Sequence, residues 1–169
     1  NGSIDLDQDA TISSKIFLAD NASIDIASDK QLDVSQSFEI PENLKLEMDG
    51  TGGGILSIDN TTLTIIGVLL FSAPDYSLTN GTLELNENGL LDVDYDTSIA
   101  SNITISGNSS IDIALGMTLT YSGEEIDISN YQLTLLGSGT LSNTDSAVLL
   151  SNTDSLLVLA GDITIVLIE

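Results

Sequence analysis

Apolar and polar residues alternate along this chain in short runs. "SIDL", "SIDI", "LKLEM", "TLTI", "TLEL" and "NITI" each carry an apolar side chain at every second position. That is the period of a strand with one face buried. The apolar pairs also recur. Ile4/Leu6, Ile24/Ile26, Leu44/Leu46, Leu63/Ile65, Leu83/Leu85 and Ile103/Ile105 follow one another at steps of 20, 20, 19, 20 and 20 residues. Ile126/Ile128 and Val148/Leu150 continue the series with a looser step. Between these pairs lie further alternations: Leu32/Val34 and Phe38/Ile40, Leu91/Val93 and Ile99, Ile111/Ile113 and Met117/Leu119. Asn, Gly, Ser and Asp separate them, which are turn residues. Helical apolar spacing is absent.

Three short strands in every ~20 residues, repeated along the chain, predict an all-β parallel β-solenoid, or β-helix. About eight rungs at a strand spacing of about 4.8 Å would form a rod roughly 38 Å long. The pattern covers residues 1–169 as a single solenoid domain, either a segment of a longer chain or a filament subunit. Neither "NGSIDLD" nor "ITIVLIE" reads as a cap, so the end rungs are expected to meet further rungs, of this chain or of another copy.

The corners have their own signature. An Asn, a small residue and Ser or Thr precede several strand pairs. Asn at a turn takes up left-handed geometry or hydrogen-bonds the next rung. "DGTGGG" at 49–54 falls where the third repeat should hold its second strand, and its glycines mark a corner, a bulge or a loop excursion. Pro41 and Pro74 stand near expected strand boundaries, where a missing N–H is tolerated. "SNTDS" occurs twice, nine residues apart.

Composition sharpens this picture. Hydrophobic residues make up 41 % and aromatics 4 %, so the bore is expected to be aliphatic. Asp and Glu number 26 against 3 Lys, with no Arg and no His, for a net charge of -23. Nucleic acid is excluded as a partner, because its binding rests on basic side chains neutralising phosphates. Anionic membrane surfaces are repelled as well, and no apolar run reaches the ~18 residues of a membrane helix. The chain has no Cys, so it can form neither disulfides nor thiolate metal sites.

Two acidic runs are candidate cation sites. "LDVDYDTS" sets Asp92, Asp94 and Asp96 on one strand face, and "IDLDQD" does the same with Asp5, Asp7 and Asp9. Calcium takes 6–8 oxygens at 2.3–2.6 Å, whereas residues i and i+2 of a strand stand about 6.6–7 Å apart. A bend or a second rung would have to complete the set. Calcium is the one candidate ion; no cofactor is expected. Along the first strand the outward ladder reads Asp5, Asp25, Lys45, Thr64, Glu84, Thr104 and Asp127, with Lys45 relieving Asp25. Asn1, Asn21, Asn60, Asn80, Asn102 and Asn108 each open an N-x-[ST] triplet, the acceptor pattern for N-glycans in a secreted protein; the corner design produces the same triplet.

Phrases such as "LLGSGTLSNTDSAVLL" and "NGTLELNENGLLDV", on ~20-residue rungs, resemble the β-solenoids of surface-exposed adhesins and autotransporter passengers, including the filamentous-haemagglutinin type. The resemblance covers the whole chain. It implies an extracellular, elongated and non-catalytic protein, and it transfers no binding residue.

The expected function is therefore a structural extracellular module that stacks into, or forms part of, a surface fibre, adhesin stalk or surface layer. Its first expected partner is another copy, end to end. The alternative is a module that binds a carbohydrate or host protein through a lateral face. Enzymatic activity is not expected: paired carboxylates such as Asp92 and Asp94 are present, but only Lys15, Lys30 and Lys45 are available as cationic clamps. Ice binding would need Thr-x-Thr pairs on successive rungs, and the two in the sequence, Thr62/Thr64 and Thr118/Thr120, are not expected to repeat.

Overall fold

The computed structural model describes residues 2–144, 147–149 and 153–168. Among them there is no helix. Twenty-two strands, β1 to β22, wind into a parallel β-solenoid of about seven turns. A typical turn runs through β9 (Val68–Phe71), β10 (Tyr76–Thr79) and β11 (Thr82–Leu85). These three belong to three different sheets.

Sheet A stacks β1 (Gly2–Leu6), β3 (Ala22–Ile26), β6 (Lys45–Met48), β9, β12 (Leu90–Val93), β15 (Ser109–Ile113), β18 (Gln132–Gly137) and β21 (Leu156–Gly161). Sheet B stacks β2 (Ala10–Ile12), β4 (Gln31–Val34), β7 (Ile55–Ser57), β10, β13 (Thr97–Ile99), β16 (Thr118–Tyr121), β19 (Thr140–Thr144) and β22 (Thr164–Ile168). Sheet C stacks β5 (Phe38–Ile40), β8 (Thr62–Ile65), β11, β14 (Asn102–Ile105), β17 (Glu125–Ile128) and β20 (Ala147–Leu149). Every pairing is parallel, since equivalent strands of successive turns run the same way.

Alternation puts every second residue inside. Leu46, Leu69, Leu91, Ile111 and Leu135 form one column of sheet A. Leu32, Leu56, Leu78 and Ile99 form one of sheet B. Phe38, Leu63, Leu83, Ile103 and Ile126 form one of sheet C. All are buried in one continuous core. Burying one such side chain is worth about 1.5–3 kcal/mol.

The turn is longer and less regular than the sequence steps indicated. Ile4 pairs with Ile24, but Ala22 pairs with Leu46, Leu69 with Leu91, and Ile111 with Leu135. With Phe38 paired to Leu63 on sheet C, rung lengths run from 20 to 25 residues. The regular 20-residue series crosses from one sheet to another. Ile4, Ile24 and Leu46 belong to sheet A, whereas Leu63, Leu83 and Ile103 belong to sheet C. Leu46 and Leu63 lie on the same turn, which is why about eight expected rungs become about seven. The physical reason is that all three faces carry the same apolar alternation, so nothing local labels which face a pair belongs to.

"DGTGGG" is a corner, not a strand. Gly50, Gly52 and Gly53 have φ of 91°, 77° and 83°, a region that only Gly enters freely. A Cβ on Gly50 would fall 2.0 Å from Asp25 Cγ, and one on Gly52 would fall 2.1 Å from the Pro74 carbonyl oxygen. The core is also less aliphatic than expected. Phe71, Tyr76 and Tyr121 are fully buried. The Tyr76 hydroxyl accepts a bond from the Ile26 amide at 3.0 Å and donates to the Asp49 carbonyl at 2.6 Å. One ring thereby ties three successive turns together at the corner between sheets A and B.

Candidate functional site

Once register is known, the acidic residues separate by location. Asp5 and Asp25 are paired on sheet A. Lys45 does not follow them. It pairs with Val68 and binds Glu47 on its own strand at 2.6 Å, so it does not relieve Asp25. That bond is the main reason the Glu47 carboxyl sits below its usual range. Thr64, Glu84, Thr104 and Asp127 form a separate ladder on sheet C, joined by Glu39.

Asp92, Asp94 and Asp96 do not share a strand face. β12 ends at Val93, and the chain bends at 94–95 toward sheet B. Asp96 has a specific partner: its Oδ1 accepts the Thr118 amide of the next rung at 2.7 Å. "IDLDQD" occupies the equivalent corner of the first turn, where Asp9 Oδ1 accepts the Gln31 amide at 2.9 Å. The last aspartate of each run thus caps a backbone donor. Among the described residues, no three carboxylates come together in a group able to hold a metal ion.

Asp92 is in a different position. It points outward from sheet A, stacked between Leu70 and Asp112. Desolvation, then repulsion from Asp94 and Asp112, push its carboxyl up to about 6. An apolar neighbour below and a like charge above both disfavour the ionised form.

The triplet asparagines are corner residues of two kinds. Asn21, Asn102 and Asn108 accept next-rung amides through Oδ1, from Lys45 at 2.8 Å, Glu124 at 3.0 Å and Gln132 at 2.9 Å. Asn60 and Asn80 are exposed and left-handed, with φ of 52° and 62°. Asn80 also donates to Ser57 Oγ at 2.9 Å. Both roles follow from turn chemistry. Asn1 lies outside the described residues, as do Asp145 and Ser146 of the first "SNTDS", Leu150 of the last apolar pair, and Ser151 and Asn152 of the second "SNTDS".

The outer face of sheet B is the feature that sequence reading missed. Ser77, Ser98, Thr120 and Ser142 form one outward column, and Thr118, Thr140 and Thr164 form another. Thr118/Thr120 is followed on the next rung by Thr140/Ser142, so the Thr-x-Thr pair itself does not repeat, as expected, but a hydroxyl pair does. The 22-residue step and the substitution of Ser for Thr hid it. From Ile55 to Val166 the first of these columns contains no charged side chain. At its edge a depression of about 190 Å³ is lined by Asp75, Tyr76, Asp96, Thr97, Ser98 and Thr120. Ser77 and Ser98 share a hydroxyl–hydroxyl bond of 2.7 Å.

A second concavity lies in the first turn, where residues 13–21 run without a strand. It has a volume of about 360 Å³ and is lined by Ile4, Ile16, Phe17, Leu18 and Ile24 among others. Phe17 is 78 % exposed, with Lys15 Nζ 5.1 Å from its ring.

Comparison with family models, with curated proteins and with solved structures found no match for this chain. The likeness to surface adhesins thus stands on the solenoid architecture alone.

Proposed function

We propose that this chain is a structural module: a stiff acidic solenoid that forms part of a surface fibre, adhesin stalk or surface layer. One observation carries the reading. Sheets A and B each stack eight parallel strands without interruption around a continuous apolar core. In such a body each rung templates the next, so length is added without redesign. The outermost described turns keep inward apolar residues partly open, with Ile4 at 36 %, Leu159 at 54 % and Ile165 at 37 % exposure. A further rung, of the same polypeptide or of another copy, would cover them. The acidic sides favour solubility and discourage lateral clumping. The extracellular setting rests on the architectural resemblance.

Negative-stain electron microscopy of the purified chain tests this, in physiological salt and again after chelation. Filaments of constant width support end-to-end assembly, and their loss with chelator brings calcium into the contact. Separate rods about 34 Å long, from seven rungs at about 4.8 Å, support a spacer without self-assembly. Particles with no rod axis overturn the proposal.

A further inference from the structure

We propose that the outer face of sheet B docks an uncharged polysaccharide chain laid along the solenoid axis. This goes beyond the structural role and does not depend on fibre formation. Three features of the face converge on that partner.

The first is charge. The chain carries -23, yet the column through Ser77, Ser98, Thr120 and Ser142 has no ionisable side chain. A polyanion is repelled by the whole body. A polycation is drawn instead to sheets A and C, whose outer columns hold Asp92 with Asp112 and Glu84 with Asp127. A neutral partner is the one class for which this uncharged column, rather than a carboxylate ladder, is the favourable place to bind.

The second is repeat distance. Hydroxyls recur on successive rungs at about 4.8 Å, a length comparable to one sugar unit of an extended glycan. Successive sugars then meet the same surroundings, and many weak contacts act as one multivalent site.

The third is the rim. Asp75 and Asp96 border the depression beside Ser98 and Thr120. Asp96 commits Oδ1 to the Thr118 amide. An ionised carboxylate offers about four acceptor positions, which leaves capacity for donors from vicinal sugar hydroxyls. Ser and Thr hydroxyls both give and accept, so the face can follow either orientation of a sugar hydroxyl.

Affinity electrophoresis in native gels containing a soluble β-glucan, galactomannan or xylan tests the proposal, with alginate as the polyanionic comparator. Three proteins are run: the natural chain, Thr120→Arg on sheet B, and Thr104→Arg on the outer face of sheet C, which makes the same charge change elsewhere. Circular dichroism and urea midpoints check that each is folded; should Thr120→Arg fail to fold, Ser98→Lys takes its place. The expected result is retardation of the natural chain by at least one neutral polysaccharide. Binding should weaken at least tenfold in the sheet B variant and stay within twofold in the sheet C variant. Absence of retardation by all three neutral polymers overturns the proposal, as does equal weakening in both variants or preference for alginate. Ice-crystal shaping, or dimerisation by light scattering, that is abolished by Thr120→Arg without glycan retention assigns the face to another partner and overturns it as well. Rods seen by microscopy alongside any of these failures leave the structural role standing.

Discussion

Sheets A and B are built on the same backbone plan, each with eight parallel strands and an apolar inner column. Their outer columns differ sharply. Sheet A reads Glu47, Leu70, Asp92, Asp112 and Leu136 from turn to turn. Carboxylates are set among leucines there, and Asp92 holds its proton up to about pH 6 as a result. Sheet B over the same height reads Ile55, Ser77, Ser98, Thr120 and Ser142. The ladder is indifferent to which side chains point outward, because the backbone bonds and the inner columns hold it together. Whatever distinguishes one face from another in recognition is therefore written on residues that contribute less to folding than the inner columns do.

The largest effects should be equal on the two sheets. Leu91→Ala on sheet A and Leu78→Ala on sheet B each empty a fully buried site and should each lose about 2–5 kcal/mol, read from urea unfolding. A loss on one sheet and none on the other would break the idea of a shared scaffold.

An intermediate effect should appear on sheet A alone. Folding raises the Asp92 carboxyl from 3.8 to about 6. The folded state therefore binds the proton more tightly than the unfolded state. The stability this supplies is fully present below about pH 4 and is lost as pH rises through 6. Asp92→Asn removes the charge. It should stabilise the chain at pH 7.5 by about 1–2 kcal/mol after allowance for solvent screening, with the gain vanishing near pH 4. Added salt should raise the urea midpoint of the natural chain more than that of Asp92→Asn, because screening relieves the repulsion from Asp94 and Asp112. A variant whose gain is the same at both pH values would remove burial of the charge as the cause.

The smallest effect belongs to sheet B. Ser98→Ala deletes a half-exposed hydroxyl and its bond to Ser77. It should change stability by no more than about 0.5 kcal/mol. A cost above about 1.5 kcal/mol would mean that the hydroxyl column is part of the scaffold, and the contrast with sheet A would fall.

Much of the fold was legible in the sequence. Alternating pairs such as Leu32/Val34 and Phe38/Ile40 became β4 and β5 as read, and Asn at the corners took both roles that turn chemistry allows. The candidate site was less legible. Asp92, Asp94 and Asp96 look like one row of ligands when written out, but the chain bends between them, and Asp96 is committed to a backbone amide. Tyr76 gave no local hint that its hydroxyl would reach Ile26, fifty residues earlier.

The sequence by itself determined that the chain is all-β, that it coils in parallel turns and that it carries a strong net negative charge. Those properties follow from side-chain period, turn residues and charge, each of which is local or additive. Only the tertiary structure decided which residue stands above which. Register depends on how many residues each corner takes up, and corners such as Gly50–Gly53 differ from turn to turn. A change of one to five residues there moves every later side chain to a new neighbour. It was this shift that split the expected acidic ladder between sheets A and C and stacked Thr118 beneath Thr140.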